Sequence, residues 1–179
     1  MMNKITNKMI IYILALIFLF SIPIYMIIAS TDTLIGGEEY LFKVEAFDPY
    51  DMFRGNYLNI NFKERSIEIN SDDIDKNVKT FYVTIAKDNE GFAYFDSISS
   101  EKPKNTSNYF KTTGYYSKYS NSCTIDTPTR YYMNEEKSLS AEKTYNENID
   151  STYVKVRVKD GKMVIVGVYI NNILIDSIS

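Results

Sequence analysis

Hydrophobic residues follow two kinds of pattern along the chain. From Met9 to Ala29 there is no charged residue, and Ile, Leu, Phe and Met dominate. At a rise of about 1.5 Å per residue this run reaches about 31 Å, enough to cross the ~30 Å apolar core of a bilayer. Beyond it, apolar and polar residues alternate over short stretches, which is typical of half-buried strands. The pattern predicts a membrane-spanning helix followed by a β domain.

The flanks of the apolar run predict how the chain crosses a membrane. Lys4 and Lys8 precede the run, and the first charge after it is Asp32. A positively charged short flank stays in the cytoplasm, so the chain beyond the run should lie outside. A cleaved signal peptide is the alternative, although its apolar region usually covers about 7–15 residues. The expected layout is a cytoplasmic N-terminus over 1–8, an anchor over 9–29, a linker over 30–37 and an extracytoplasmic β domain over 38–179.

The alternating stretches predict the architecture of that domain. Asp160-Gly161 and Asn171-Asn172 separate apolar runs as two-residue hairpin turns, in which both central positions take a positive φ. Tyr40 to Ala46 should place its four even-numbered residues on one face. The predicted strands cover 40–46, 56–62, 66–70, 81–86, 92–98, 109–119, 130–133, 153–158, 162–170 and 173–175. The expected fold class is mainly β, an antiparallel β barrel or sandwich with one surface helix.

The surface helix is predicted from Glu135 to Tyr145. Asn134 can cap its N-terminus, and acidic residues fill its first turn, where the helix dipole favours them. Leu139 and Ala141 provide a thin apolar side, so the helix should lie on the surface. The preceding residues 120–129 are expected to be irregular, with the lone cysteine in a polar loop.

Composition excludes several classes of function. The chain has no histidine and one cysteine, which rules out Cys/His zinc sites and Ser-His-Asp catalysis. All 23 acidic residues and all but two of the 20 basic residues lie beyond the apolar run, which gives that part a net charge of −5. A nucleic-acid surface would need a basic patch instead. The sequence predicts no cofactor and no metal site.

Charged residues and a glycine gather just before the second predicted strand. Asp48 and Asp51 can each accept backbone N–H groups in a turn, and the planar guanidinium of Arg54 can bridge their carboxylates. Gly55 should take a positive φ as the chain enters the strand. The stretch therefore predicts a rigid corner between two strands, with Tyr57 behind it in the core. The alternative interpretation is a ligand or partner site on that corner.

The same stretch resembles a family signature. Residues 55–62 are similar to the string that names the GDYXXLXY family, with Gly55 and Tyr57 matching. Residues 130–135 resemble an Arg-Tyr-Phe-Val-Pro-Glu string ahead of a helix, and the C-terminal hairpin matches in place. The departures are Asn56 for Asp, Ile60 for Leu and Phe62 for Tyr. The resemblance implies a bacterial membrane-anchored protein, often encoded near multi-pass membrane proteins, and it brings no catalytic residues.

Three hypotheses for function follow. The first is a single-pass accessory protein without enzymatic activity in a bacterial plasma membrane, binding a multi-pass membrane protein or an envelope component. The second is an envelope-polymer hydrolase or transferase that uses Asp48 and Asp51, although Arg54 would hold both carboxylates ionised. The third is an ectodomain that senses a small molecule or a metal. The candidate contact residues are Asp48, Asp51, Arg54, Gly55, Asn56, Tyr57, Tyr115, Tyr116 and Arg130, with the aromatic run 109–119 as a second surface.

Overall fold

The computed structural model describes residues 2–46, 57–69, 79–104, 106–117 and 119–177. Within these ranges the chain forms two α-helices and twelve strands. The helices are α1 (Met2–Gly36) and α2 (Glu135–Glu147). The first strands are β1 (Glu38–Glu45), β2 (Tyr57–Asn59), β3 (Asn61–Phe62), β4 (Ser66–Glu68), β5 (Thr80–Lys87) and β6 (Ala93–Ser99). The others are β7 (Tyr109–Ser117), β8 (Ser122–Ile125), β9 (Arg130–Tyr132), β10 (Thr152–Lys159), β11 (Lys162–Ile170) and β12 (Ile173–Leu174).

The strands form one large mixed sheet and one small one. The large sheet runs in the order β12-β11-β10-β1-β6-β5-β7-β8-β4, with β3 added beside β1. Its described pairs are antiparallel except β1 with β6, which run parallel where Phe42 meets Ala93. The second sheet consists of β2 and β9. The expected mainly β fold is confirmed, and it is sandwich-like.

Both predicted hairpin turns are present. Asp160 and Gly161 take φ values of 49° and 79° between β10 and β11. Asn171 and Asn172 take 49° and 67° between β11 and β12. These positive values match the right-handed twist of the flanking strands, which explains why short polar residues and glycine occupy both turns.

An aromatic cluster joins the layers of the core. The ring of Phe42 on β1 lies 5.4 Å from that of Phe62 on β3 and 4.8 Å from that of Phe95 on β6. Phe95 in turn lies 5.7 Å from Phe110 on β7. All four side chains are buried. The burial of apolar side chains such as these is the main favourable contribution to the free energy of folding in such a domain.

The large sheet is curved, so that β7 contacts the β10–β11 hairpin although other strands lie between them in the sheet order. The backbone N–H of Lys111 on β7 donates to the Gly161 carbonyl oxygen at 2.8 Å, beside a bridge between Phe110 and Gly161. A side chain at position 161 would lie 3.3 Å from the Tyr109 ring, so glycine serves both the turn and this approach. The contact brings β7 against the tip of the β10–β11 hairpin.

Helix α2 is a surface helix capped by Asn134, as predicted. Its Ala141 and Tyr145 side chains are buried and form the face that packs on the core. These residues are four apart and share one face, and the Tyr145 hydroxyl donates to the Glu45 carbonyl oxygen at 3.3 Å. Burial raises the pKa of Tyr145. A thin apolar stripe is therefore enough to hold this helix on the core.

The expected irregular segment contains strand β8. Its Cys123 side chain is fully buried between β4 and β7 rather than in a polar loop. Burial raises the pKa of its thiol, so the thiol stays protonated near neutral pH. Two outer positions also differ from the predicted pattern, because Ala46, just after β1, is exposed and Tyr57 is only half-buried.

Helix α1 contains a segment long and apolar enough to cross a membrane. Lys8–Gly36 has a mean hydropathy of 2.6 over its most apolar window, and none of that window is buried against the β domain. A membrane anchor and a signal sequence both fit this description. Pro23 lies inside the helix.

Residues 30–36, where the sequence predicts a linker, continue this helix and contact the β domain. The Arg157 side chain on β10 donates to the Leu34 carbonyl oxygen, and Lys159 forms an ion pair with Asp32 at 2.7 Å. The Thr33 side chain is buried. The last carbonyl groups of a helix lack partners within the helix and carry its negative dipole end, which explains why basic residues of β10 bind there. Asp32–Gly37 with Arg157 and Lys159 are called the junction below.

A charged pair beside the junction makes stability sensitive to acid. The hydrogen bond from Lys155 to Glu39, 2.9 Å long, holds the pKa of Glu39 below its usual 4.5, with Arg157 adding a weaker attraction. A lowered folded-state pKa stabilises the protein above about pH 4.5, and this contribution is lost as the pH falls through the folded value.

We therefore expect Glu39→Gln to lower the free energy of unfolding near pH 7 by less than about 1 kcal/mol, because the pair is partly exposed. The difference from the wild type should shrink towards about pH 3 in urea unfolding of the full chain. Glu68→Gln, at an exposed site on β4, is the control. A deficit that stays constant across this pH range would contradict the assignment.

Candidate functional site

The sequence predicts a corner of charged residues before β2. Asp48, Asp51, Arg54, Gly55 and Asn56 lie outside the described residues. Their pairing therefore stays a prediction. The described end of the motif begins at Tyr57, the first residue of β2.

Strand β2 pairs with β9, and together they form what we call the β2–β9 ribbon. Tyr57 faces Tyr132, and Asn59 faces Arg130 across the two strands. The Arg130 guanidinium carbon lies 4.9 Å from the centroid of the Tyr57 ring. The Tyr57 and Tyr132 rings meet edge to face with centroids 5.7 Å apart. The structure thus brings together two residues, Tyr57 and Arg130, that sequence analysis selected separately.

One face of the ribbon fastens it to the domain. Leu58 is buried, and the Tyr131 hydroxyl donates to the carboxylate of Asp176 near the C-terminal end. Burial and the neighbouring Asp176 charge raise the pKa of Tyr131, so its hydroxyl stays protonated and donating. Lys137 of α2 donates to the Asp176 carbonyl oxygen at 2.9 Å. These bonds hold the ribbon to α2 and to the chain after β12.

The other face of the ribbon points to solvent. The Tyr132 side chain is 67 % exposed, Arg130 is exposed and Tyr57 is half-buried. The expectation that Tyr57 lies in the core is wrong because side chains alternate along a strand, and Leu58 takes the inward position. The outer face is therefore a small aromatic surface with one cation stacked on it.

The side chains on this face are suited to binding a partner. Tyrosine rings supply apolar area together with a hydroxyl donor, and a guanidinium stacked on a ring keeps its donors free for a partner. Among the described residues there is no group of three or more His, Cys, Asp or Glu side chains placed to hold a metal ion.

The second predicted surface lies on other strands. Tyr115 and Tyr116 on β7 pair with Thr124 and Cys123 on β8. Tyr115 is 75 % exposed, whereas Tyr116 is half-buried against the core with its hydroxyl 3.2 Å from the Asn121 side-chain oxygen. Only one of these two tyrosines therefore offers a free ring to a partner.

Sequence analysis missed Tyr132 as a site residue. It recognised the string from Arg130 onwards but selected only the arginine. The available signal was the period of two along β9, because residues two apart share one face of a strand. Asp176, which holds the inward Tyr131, had no signal in the sequence because it comes from a distant segment.

Comparison with known proteins agrees with the motif. The sequence model described as GDYXXLXY protein matches residues 19–168, from within α1 to within β11, and so includes the ribbon and the junction. No curated protein and no solved structure matches the chain. Since the match covers most of its length, the chain belongs to the GDYXXLXY protein family.

Proposed function

We propose that this protein is a single-pass accessory protein of a bacterial plasma membrane, and that its β2–β9 ribbon binds a multi-pass membrane protein. In this proposal α1 is the anchor, the N-terminus with Lys4 and Lys8 is cytoplasmic, and the β domain lies outside. The apolar length of α1 and the charge of its flanks support this topology.

The exposed cluster of Tyr57, Arg130 and Tyr132 carries the proposal. Tyrosine and arginine are enriched among the residues that dominate binding energy at protein interfaces. Arg130 already lies over the Tyr57 ring, and Tyr57 already contacts Tyr132. Less side-chain entropy is then lost on binding, which favours affinity. A surface of this composition suits a protein partner.

The junction supports a partner in the same membrane. Helix α1 continues to Gly36, and its last turn accepts a hydrogen bond from β10. In the described residues, no flexible linker therefore separates the helix from the β domain. The ribbon is then held at a fixed height and orientation relative to the bilayer. A partner confined to the same bilayer meets such a surface at high effective concentration.

We expect Tyr132→Ala and Arg130→Ala each to reduce recovery of a multi-pass partner from solubilised membranes by about tenfold or more. The measurement is affinity capture of the full chain, quantified against the wild type. Both side chains lie on the outer face, so circular dichroism should show an intact fold.

Tyr94→Ala is the matched control, because Tyr94 on β6 is 42 % exposed and loses the same atoms. It should leave recovery unchanged. Tyr115→Ala tests the second surface in the same way. If recovery survives both ribbon substitutions in folded protein, or falls equally with Tyr94→Ala, the ribbon is not the binding surface.

A further inference from the structure

The tip of the β10–β11 hairpin reaches down beside α1. The Lys162 ammonium lies 5.5 Å from the centroid of the Tyr25 ring. Tyr25 belongs to the uncharged run that ends at Ala29. The tip of the hairpin therefore lies beside the last part of that run and not only beyond it. Around this contact, Asp32 of α1 and Lys159, Asp160 and Lys162 of the hairpin line a common cleft with Tyr25.

The position of Tyr25 along α1 gives the depth of this contact relative to the end of the apolar run. Tyr25 lies four positions before Ala29, which corresponds to about 6 Å along the axis. The polar headgroup layer is about 5–8 Å thick on each side of the apolar core. If α1 spans the membrane, Tyr25 lies about 6 Å inside the edge of the apolar core, and the Lys162 side chain lies close to the boundary between core and headgroups, on its core side. Lysine and tyrosine are both favoured there, because each combines an apolar body with a polar end.

A hollow of about 400 Å³ opens at the same level, between the end of the apolar run and the strands. Its lining includes Ser30 of α1, Lys111 and Thr112 of β7, Asp126 between β8 and β9, and Lys162 of β11.

Two lysines and one aspartate line the hollow, which gives its lining a net positive charge. Neither Lys111 nor Lys162 forms an ion pair with a described residue. The Asp126 carboxylate accepts a hydrogen bond from the Thr113 hydroxyl. Asp160 and the Lys159–Asp32 ion pair line the adjoining cleft rather than the hollow.

We propose that this hollow binds the phosphate of an anionic phospholipid headgroup through Lys111 and Lys162. This inference rests on the proposal that α1 spans the membrane, but it does not depend on the ribbon. Its occupant is a lipid because the hollow opens at the level of the headgroups, beside the end of the apolar run. An anionic lipid fits better than a zwitterionic one, since two lysines face one aspartate. The contact would fix the tilt of the β domain on the bilayer.

The test uses the full chain in phosphatidylcholine vesicles that contain a phosphatidylglycerol with a photoreactive headgroup. After irradiation and digestion, mass spectrometry should find adducts within 110–128 and 160–164. A lysine near an anionic surface contributes about fivefold in affinity, so Lys111→Gln/Lys162→Gln should lower the adduct yield roughly 25-fold. Photoreactive phosphatidylcholine should give a much lower yield in the wild type.

Lys63→Gln/Lys143→Gln is the charge-matched control. Lys63 bonds through its backbone to Lys43, and α2, which contains Lys143, contacts Glu45, so both lie near the end of β1 that is farther from α1. This variant should keep the wild-type yield. Equal losses in the two double variants, or equal yields from the two lipids, would overturn the proposal.

A second probe separates this proposal from the anchor. A photoreactive group on the lipid acyl chain should label α1 in every variant. Labelled α1 without headgroup adducts at the hollow would overturn the lipid site and leave the anchor intact. Unlabelled α1 would overturn both.

Discussion

Replacing Phe62 with alanine should lower the free energy of unfolding by about 3–5 kcal/mol. Phe62 is fully buried on β3, and its ring contacts those of Phe42 and Phe95. The substitution removes the aromatic group that joins the motif strand to the rest of the core and leaves a cavity there. Urea unfolding of the full chain in detergent micelles, followed by circular dichroism, measures the loss.

Phe92→Ala is the matched control for this prediction. The Phe92 side chain, just before β6, is half-buried, and its ring contacts that of Tyr153 on β10. Its truncation should cost less than half as much, because less apolar area is lost and water can fill the space. Equal losses for the two variants would show that β3 does not lie against the core as described.

Gly37→Ala should weaken the junction between α1 and the β domain. A Cβ atom at position 37 would overlap the Thr33 carbonyl oxygen and lie 3.0 Å from the Cβ of Arg157. The first neighbour is backbone, so the helix end and β10 must move apart. Overpacking of this kind costs about 1–3 kcal/mol. We expect both a lower urea midpoint and protease cleavage near residue 37, which the wild type resists.

Gly36→Ala tests whether the effect is specific to that contact. At position 36 the nearest atom to a new Cβ is the Lys159 ammonium nitrogen, at 3.1 Å, which is the far end of a flexible side chain. This variant should resist cleavage like the wild type. Cleavage of Gly36→Ala at the rate of Gly37→Ala would mean that the junction is loose in the native protein.

Local rules predicted the hairpins and most strands. The turns at Asp160-Gly161 and Asn171-Asn172 could be predicted because a two-residue hairpin turn requires positive φ values, which strongly restricts the residue types that occur there. The alternation in β10 was equally clear, since every second residue from Thr152 to Val158 is buried. In these elements the residues that determine the structure are adjacent in sequence.

Elements defined by distant contacts were missed. Helix α1 extends through residues 30–36 because Arg157 and Lys159, more than 120 residues later, bond to its end. Strand β8 forms because β7 and β4 lie on either side of it. Local propensity is too weak to reveal either, because tertiary contacts routinely override it.

The candidate site shows the same division. Sequence analysis selected Tyr57 and Arg130 for separate reasons, but only the pairing of β2 with β9 brings them together. It placed Tyr57 in the core, whereas Leu58 takes the inward position, because a shift of one residue reverses which side chains face inward. Tyr132 follows from the same register and became visible only with the structure.

Photo-cross-linking from the ribbon tests the central claim most directly. A photoreactive phenylalanine analogue would replace Tyr132 in the full chain, with a second protein carrying it at Tyr94, and both would be irradiated in intact cells. We predict an adduct with a multi-pass membrane protein from position 132, lost when Arg130→Ala is added, and no such adduct from position 94. No adduct from position 132, or the same adduct from both positions, would contradict the claim that the β2–β9 ribbon binds a membrane partner.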